Sequence, residues 1–330
     1  MCMSDDVDIY KLNGQPNKNR NLHKARKYKN DEFYTKLEDI ERELRHYRYH
    51  FKNKTVFCNC DDPWVSNFFH YFTHNFDILG IKKLITTCYQ NDQMKLFSRH
   101  DRDDSICLEY DGPKNGNKIP TPEEIGIIKL KEGGDFRSKE CIELLKQSDI
   151  VCTNPPFSLF REYMAQLIEY GKKFLIIGNY NAVIYKEIFP LIKDNKIWLG
   201  VEPWGMTFNT PEGKEKFSRM TKWFTNLHHN KRNDEIILVK KYNGNEEHYP
   251  KYDNYDAIDV DKVLNIPKDY NGIMGVPITF FVDYNPNQFK VLGFTNSGEE
   301  NKGIRHKDSK HGRALINGKE IYTRILIQRK

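Results

Sequence analysis

The 330-residue sequence contains no run of about 18 apolar residues, so no stretch of it reads as a membrane-spanning helix. Its first 21 residues are polar and lack the apolar core of a secretory signal. Cysteine is sparse and odd in number: seven, scattered through apolar stretches. In a chain with no export signal that is the pattern of reduced, buried thiols, and the expectation is a cytoplasmic protein. Cys58-x-Cys60 and the His70/His74 pair match no common zinc spacing, and no Glu follows His70 as a zincin helix requires. No metal site is expected. There is no G-x-G-x-x-G fingerprint and no Walker A sequence, so a pyrophosphate-bearing ligand has no glycine cradle. No carboxylate cluster has the P-D…(D/E)-x-K spacing of a nuclease, and there is no internal repeat. Large net charge is absent too. Fifty-two basic against 46 acidic residues leave +6, which permits a polyanionic partner without requiring one.

What is present is an alternation. Residues 1–29 carry Asn-Gly and Gln-Pro breakers and the basic cluster His23-Lys24-Ala25-Arg26-Lys27. They read as a flexible arm, either a solvated tail or a contact with phosphates. Phe33, Leu37, Ile40, Leu44, Tyr47 and Phe51 recur at helical spacing and predict a helix from Asp31 to Phe51, capped by Asn30 or Asp31. Strand one, Thr55 to Cys60, ends at Asp61-Asp62-Pro63. Pro63 suits the first turn of a helix that stops at Gly80, with Asp62 near its N-cap. Strand two runs from Lys83 to Tyr89. Residues 91–122 read as an insertion, with Ile106 to Tyr110 pairing Ile125 to Lys131. A helix from Lys139 to Gln147 precedes the stretch discussed next. Beyond it come a strand from Lys173 to Gly178, a helix around Ala182 to Lys193 and a strand from Lys196 to Val201. This spacing predicts an α/β fold with a doubly wound, mostly parallel sheet.

After Val201 the alternation fails. Trp204 to Arg219 reads as a loop. Lys222 to Leu227 and Asp234 to Lys241 read as antiparallel strands joined by the basic turn His228-His229-Asn230-Lys231-Arg232. From Tyr242 the chain is rich in Tyr, Asn and Lys, with a late basic loop from Lys302 to Arg313 and a final strand, Arg324 to Gln328. Such a composition suits nucleic-acid contact or an ordinary solvated surface.

The chain is organised around Asp149-Ile150-Val151-Cys152-Thr153-Asn154-Pro155-Pro156-Phe157. Its apolar run reads as a buried strand that two prolines stop. Ser158 is placed to cap the helix that follows. Asn154 to Phe157 therefore occupy a rigid turn at the carboxyl end of a strand, where open α/β sheets bind ligands. The turn suits one task. An adenine's exocyclic amine is a poor nucleophile because its lone pair is delocalised into the ring. Accepting both N–H hydrogens draws that nitrogen toward a tetrahedral geometry. The Asn154 side-chain oxygen can be one acceptor and the Pro155 carbonyl the other. Pro155 and Pro156 fix the backbone, so both are preorganised. Phe157 offers a face on which a base can stack. The bland alternative is a strand-ending turn that happens to read Asn-Pro-Pro.

The ends of strands one and two, with Gly134-Asp135-Phe136, should line one crevice beside Asn154. An Asp there can bind a ribose hydroxyl or an adenine amine, and Phe136 can cover an adenine ring. A cofactor without phosphates, such as S-adenosylmethionine, needs no glycine cradle, and its sulfonium favours carboxylates and aromatic faces. Asp61 and Asp62 are equally explained as helix N-terminal charges.

These residues carry a resemblance. Cys58-Asn59-Cys60-Asp61-Asp62-Pro63, Gly134-Asp135-Phe136-Arg137-Ser138, Thr153-Asn154-Pro155-Pro156-Phe157 and Phe160-Arg161-Glu162-Tyr163 together resemble the EcoRI-type adenine-N6 DNA methyltransferases, the modification enzymes of restriction systems. The likeness covers residues 22–293 and resumes at the last strand. It implies a class I S-adenosylmethionine-dependent fold, with cofactor elements before the catalytic motif and target recognition mainly after it. The chain would then divide into the arm at 1–29, a cofactor-binding and catalytic domain at 30–201, and remaining sheet strands with a DNA-recognition region at 202–330.

By position, the resemblance implies that Phe33, Tyr34 and Thr35 contact the cofactor from the N-terminal side, and Asn59, Cys60, Asp61, Asp62 and Pro63 from the loop after strand one. It places Asp135 and Phe136 at its adenine, and Asn154, Pro155, Pro156 and Phe157 at the reacting amine. Cys88 and Tyr89 stand where the broader superfamily has an acidic residue after strand two, and they join the cofactor candidates. Double-stranded DNA is the implied partner, a cognate endonuclease would share the site without direct contact, and a monomer suffices for one-strand-at-a-time modification. Methylation of RNA adenine or of a protein glutamine amide needs the same acceptor pair. A DNA-binding module without catalysis is the reading from another class.

Overall fold

The computed structural model describes residues 10–11, 15–16, 34–60, 66–87, 105–113, 125–203, 205–209, 214–296, 304 and 312–330. Short runs rich in β-branched and aromatic residues build its strands. We number them β1 Tyr34–Thr35, β2 Thr55–Asn59, β3 Lys83–Thr87, β4 Ile106–Tyr110, β5 Ile125–Lys129, β6 Ile150–Thr153, β7 Lys173–Asn179 and β8 Trp198–Leu199. There follow β9 Met206–Asn209, β10 Glu215–Ser218, β11 Thr221–Thr225, β12 Ile258–Asp259, β13 Met274–Pro277, β14 Phe289–Phe294 and β15 Arg324–Arg329. Helices α1 to α6 are Leu37–Leu44, Asn67–His74, Phe76–Leu79, Lys139–Gln147, Phe160–Glu169 and Phe189–Lys193.

The central sheet has the order β8-β11-β7-β6-β2-β3-β4-β5. Its four inner strands are parallel, and the pairs on either flank are antiparallel. The expected α/β sheet is therefore present, with two antiparallel margins. The expected pairing of Ile106–Tyr110 with the strand from Ile125 forms, with Ile106 opposite Lys129, and the two are the outer strands of this sheet. Neighbouring residues of one strand enter different cores, as a period of two requires. Phe57, Val151, Phe174 and Ile176 pack with Phe160, Tyr163 and Leu167 of α5. Val56, Ile150, Cys152 and Leu175 pack with Ile40 and Leu44 of α1 and Phe68 and Phe72 of α2. A strand covered on both faces reads as unbroken apolar sequence, which is how β2 and β6 read. The first core continues into a second sheet, β12-β13-β15-β14, through Ile258, Met274, Val291 and Ile325.

Several local expectations are corrected. The helix drawn from Asp31 is α1 followed by a 3₁₀ segment, Arg45–His50, because Tyr34–Thr35 is drawn into β-pairing with Phe208 and Asn209. Ser66, not Asp62, caps α2, accepting the Phe68 N–H at 3.2 Å. The stop at Gly80 holds, at φ 61°. Ser158 caps nothing. The Leu159 N–H bonds the Pro156 carbonyl at 3.0 Å in a 3₁₀ turn, and α5 starts at Phe160. The helix around 182–193 is broken because Pro190 fits only the first turn of α6. Trp204 to Arg219 is no simple loop, since β9 and β10 form a hairpin inside it. Among the described residues, Asp234 to Lys241 has no ladder partner along its length. Its Ile236 amide and carbonyl are met by the Gln288 side chain instead, and one bridge joins Lys240 to Pro267.

A candidate active site at the carboxyl edge of the central sheet

The register places the ends of three parallel strands side by side. Asn59 closes β2 opposite Thr87 of β3, and Thr153 closes β6 on its other flank. The Thr153 hydroxyl donates to the Asn59 carbonyl, which ties the strand end before Asn154 to the strand end before Cys60. Asn154 follows, half-buried, with its side-chain oxygen shielded from water. Pro155 is buried, Pro156 and Phe157 are half-buried, and Phe157 leans on the α1/α2 core.

A second tie crosses to α5. Tyr163 is fully buried, and its hydroxyl donates to the Asn59 side-chain oxygen. The Tyr163 ring meets Phe136 edge-on with centroids 5.1 Å apart, and Gln166 Nε2 donates to the Phe136 carbonyl at 3.0 Å. Beside it the Asp135 carboxylate accepts the Arg137 backbone N–H at 2.8 Å and two guanidinium contacts at 2.9 and 2.7 Å. Arg137 holds that carboxyl below the usual carboxylate range, so it is ionised at neutral pH. The segment after β5 is thereby clamped to the helix that follows the Asn-Pro-Pro-Phe turn.

The N-terminal candidates arrive from the other side. The Thr35 carbonyl accepts Asn67 Nδ2 at 2.7 Å, at the first residue of α2. Thr35 is buried, and its hydroxyl has no hydrogen-bond partner among the described residues. Cys60 lies at φ 70°, where the chain leaves β2. The structure thus brings Thr35, Asn59, Cys60, Asp135, Phe136 and Asn154 to Phe157 to one edge. Asn59 is turned inward and engaged by Tyr163. Phe33, Asp61, Asp62, Pro63, Cys88 and Tyr89 lie outside the described residues, and of Tyr34 only the backbone pairing with Asn209 is described.

Sequence reasoning missed Thr153, Tyr163 and Gln166. The signal was present for one of them. Phe160, Tyr163, Met164 and Leu167 form the buried stripe of α5, and a tyrosine in a buried stripe needs a partner for its hydroxyl.

An unpartnered buried hydroxyl, an ionised carboxylate and an aromatic ring, with no glycine-rich phosphate cradle, fit a cofactor that has ribose hydroxyls and an adenine but no phosphates. Comparison with known proteins agrees. The family model described as adenine-specific methyltransferase EcoRI matches residues 21–330. The chain belongs to this family. It is 50% identical to the Type II methyltransferase M.EcoRI of Escherichia coli, over 94% of this chain and 97% of that protein. It is 38% identical to M.MgeORF184P of Mycoplasma genitalium, over 94% and 98%, and 37% identical to M.MpnI of Mycoplasma pneumoniae, over the same shares. Both are also named Type II methyltransferases. No solved structure matches. Membership makes this EcoRI-family chain an adenine-specific methyltransferase. No helix among its described residues is long and apolar enough to cross a membrane.

Proposed function

We propose that this EcoRI-family enzyme transfers a methyl group from S-adenosylmethionine to the N6 amine of an adenine rotated out of duplex DNA. It does so as the modification enzyme of a restriction–modification system, acting in the cytoplasm. When bound, S-adenosylmethionine supplies an electrophilic methyl on a sulfonium. The chain's own residues do the rest. Asn154 Oδ1 and the Pro155 carbonyl each accept one N6–H, and Pro156 holds them in place. Phe157 carries the face of the extruded base. An acceptor already shielded from water interacts more strongly than one that has to shed water first. The amine loses its proton to solvent after transfer, so no shifted general base is needed.

Thr35, Cys60, Asp135 and Phe136 would hold the cofactor, together with Phe33, Tyr34, Asp61, Asp62, Pro63, Cys88 and Tyr89. Asn59 would act through its bonds to Thr153 and Tyr163 rather than by direct contact. In residues 202–330, which continue the sheet and build the second one, basic loops hold the DNA backbone and select the target. The enzyme works as a monomer, and a cognate endonuclease recognises the same sequence without touching it.

One observation carries this reading: the hydrogen-bonded chain from Thr153 through Asn59 to Tyr163, whose ring packs on Phe136. It fixes the amine-holding turn relative to the adenine-holding segment. The test is transfer of labelled methyl from S-adenosylmethionine to plasmid DNA, with the modified base identified and mapped. N6-methyladenine at one short recurring sequence is the expected product. Label in RNA or protein, and none in DNA, would overturn the partner; no transfer at all would overturn the activity.

A further inference from the structure

The amino edge of the central sheet, opposite Asn154, holds a cleft of about 760 Å³. That is within the roughly 300–1,000 Å³ range of small-molecule sites. Its cations come from separate parts of the chain. They are Lys54 before β2, Lys146 at the end of α4, Lys173 at the start of β7 and Arg232 after β11, with the His50 and His228 rings beside them. The topology gathers them, since no sequence run does. Asp149 is the one carboxylate in the lining. It is occupied by the Thr55 N–H at 2.8 Å and by Lys54 at 3.6 Å. Lys172 closes the floor, its ammonium donating to the carbonyls of Lys146 at 3.0 Å and Ser148 at 2.7 Å. Lys146 pairs with Glu143 on the rim. Arg232 lies flat on the Trp198 ring, 3.4 Å from its centroid, with its fork held by Asn195. The His50 ring nitrogen bonds the His228 carbonyl at 2.9 Å. Lys173 makes no ion pair with a described residue. Positive charge in the cleft is thus in excess, partly fixed in direction, and set in a concave site.

We infer that this cleft binds phosphate groups, at a site separate from the catalytic one. Fixed guanidinium and ammonium groups around a concave floor are how proteins hold phosphate oxyanions. The four residues of β6 separate Asp149 from Asn154, a distance on the order of 15 Å at strand rise, so one small ligand cannot reach both. Two sources share this chemistry: the polyphosphate of a free nucleotide, and the backbone of DNA outside the target site.

The test uses the full-length protein and the double variant Lys54→Gln/Lys173→Gln, whose side chains are exposed and distant from Asn154. The probes are inorganic tripolyphosphate, followed by Trp198 fluorescence and by the His50 ring resonances, and long non-target duplex DNA. Methyl transfer to a short duplex serves as the control and is expected to be unchanged. The wild type is expected to bind tripolyphosphate, with the His50 titration moving to higher pH as an anion fills the cleft. The variant is expected to bind at least about tenfold more weakly. A matching loss of affinity for long DNA would assign the site to the nucleic-acid backbone, and retained affinity would assign it to a free phosphorylated ligand. No binding of tripolyphosphate to the wild type, or equal binding by the variant, would overturn the inference.

Discussion

In the proposed reaction, Asn154 concentrates the chemistry in one oxygen atom. On that proposal, replacing it with Ala removes one of two acceptors for the target amine and leaves the cofactor side intact. Asn154→Ala should lower turnover by roughly 10²-fold or more while cofactor and DNA binding persist. Single-turnover methylation beside calorimetric binding checks this, and near-normal turnover would sink the assignment. Tyr163 acts at one remove. Tyr163→Phe keeps the ring on Phe136 but strands the buried Asn59 oxygen. The expected cost is about 1–3 kcal/mol in denaturant unfolding, with a rise in KM for S-adenosylmethionine larger than the fall in kcat. His229 sets a pH dependence. It is buried, its Nε2–H donates to the Leu199 carbonyl at 3.0 Å, and Nδ1 has no partner among the described residues. Burial depresses its pKa to about 4, against about 6.5 in an unfolded chain. The unfolded state therefore binds the proton first. The stability contributed by neutral His229 is complete above about pH 6.5, falls as pH drops, and is gone below about 4. The total is on the order of 2–3 kcal/mol. Unfolding measured across that window should show the slope, and His229→Gln should flatten it.

At the scale of elements, α5 is seated on β7 by a glycine. A Cβ on Gly178 would come within 2.5 Å of the Phe160 ring, and that ring is backed by Phe224 at 5.1 Å and cannot swing away. Gly178→Ala should cost about 1–3 kcal/mol through overpacking, read as a lowered unfolding midpoint. The elements that sequence alone located share a property. The strands β2, β3, β6 and β7 and the helix α4 owe their form to their own residues: continuous apolar runs, or a helical stripe with Ser138 as cap. The Asn-Pro-Pro-Phe turn was legible for the same reason, since proline acts on its own backbone. Elements that depend on a distant partner were not legible. Tyr34–Thr35 is a strand only because β9 lies beside it, and the β9–β10 hairpin is short and half-exposed. The Thr153–Asn59–Tyr163 chain joins residues about a hundred positions apart, and no local pattern announces it.

At the scale of the whole molecule, the two sheets share one core. Phe189 of α6 meets Phe294 of β14 at 4.7 Å, and the apolar cluster beneath the central sheet runs on into the second. The last strand, β15, lies between β13 and β14 and buries Ile325, Leu326 and Ile327 completely. Deleting residues 324–330 should therefore remove the middle of a sheet rather than trim a tail. The expected outcome is loss of cooperative unfolding for the remaining chain, tested by calorimetry. A sharp single transition at the full-length temperature would contradict it.

The seating of β11 between β7 and β8 has a consequence for how the protein is made. A ribosome that has released residues up to about 201 has released every parallel strand of the central sheet, together with the Asn-Pro-Pro-Phe turn. The nascent chain at that moment still presents β7 as a bare edge, with Phe174, Leu175, Ile176 and Ile177 beside it. Unpaired apolar edges invite pairing with other chains. The interval between translation of Gly178 and of Thr225 therefore leaves this apolar edge open to pairing with other chains. An expression fragment designed to end at the apparent close of the alternating pattern would be fixed permanently in that interval.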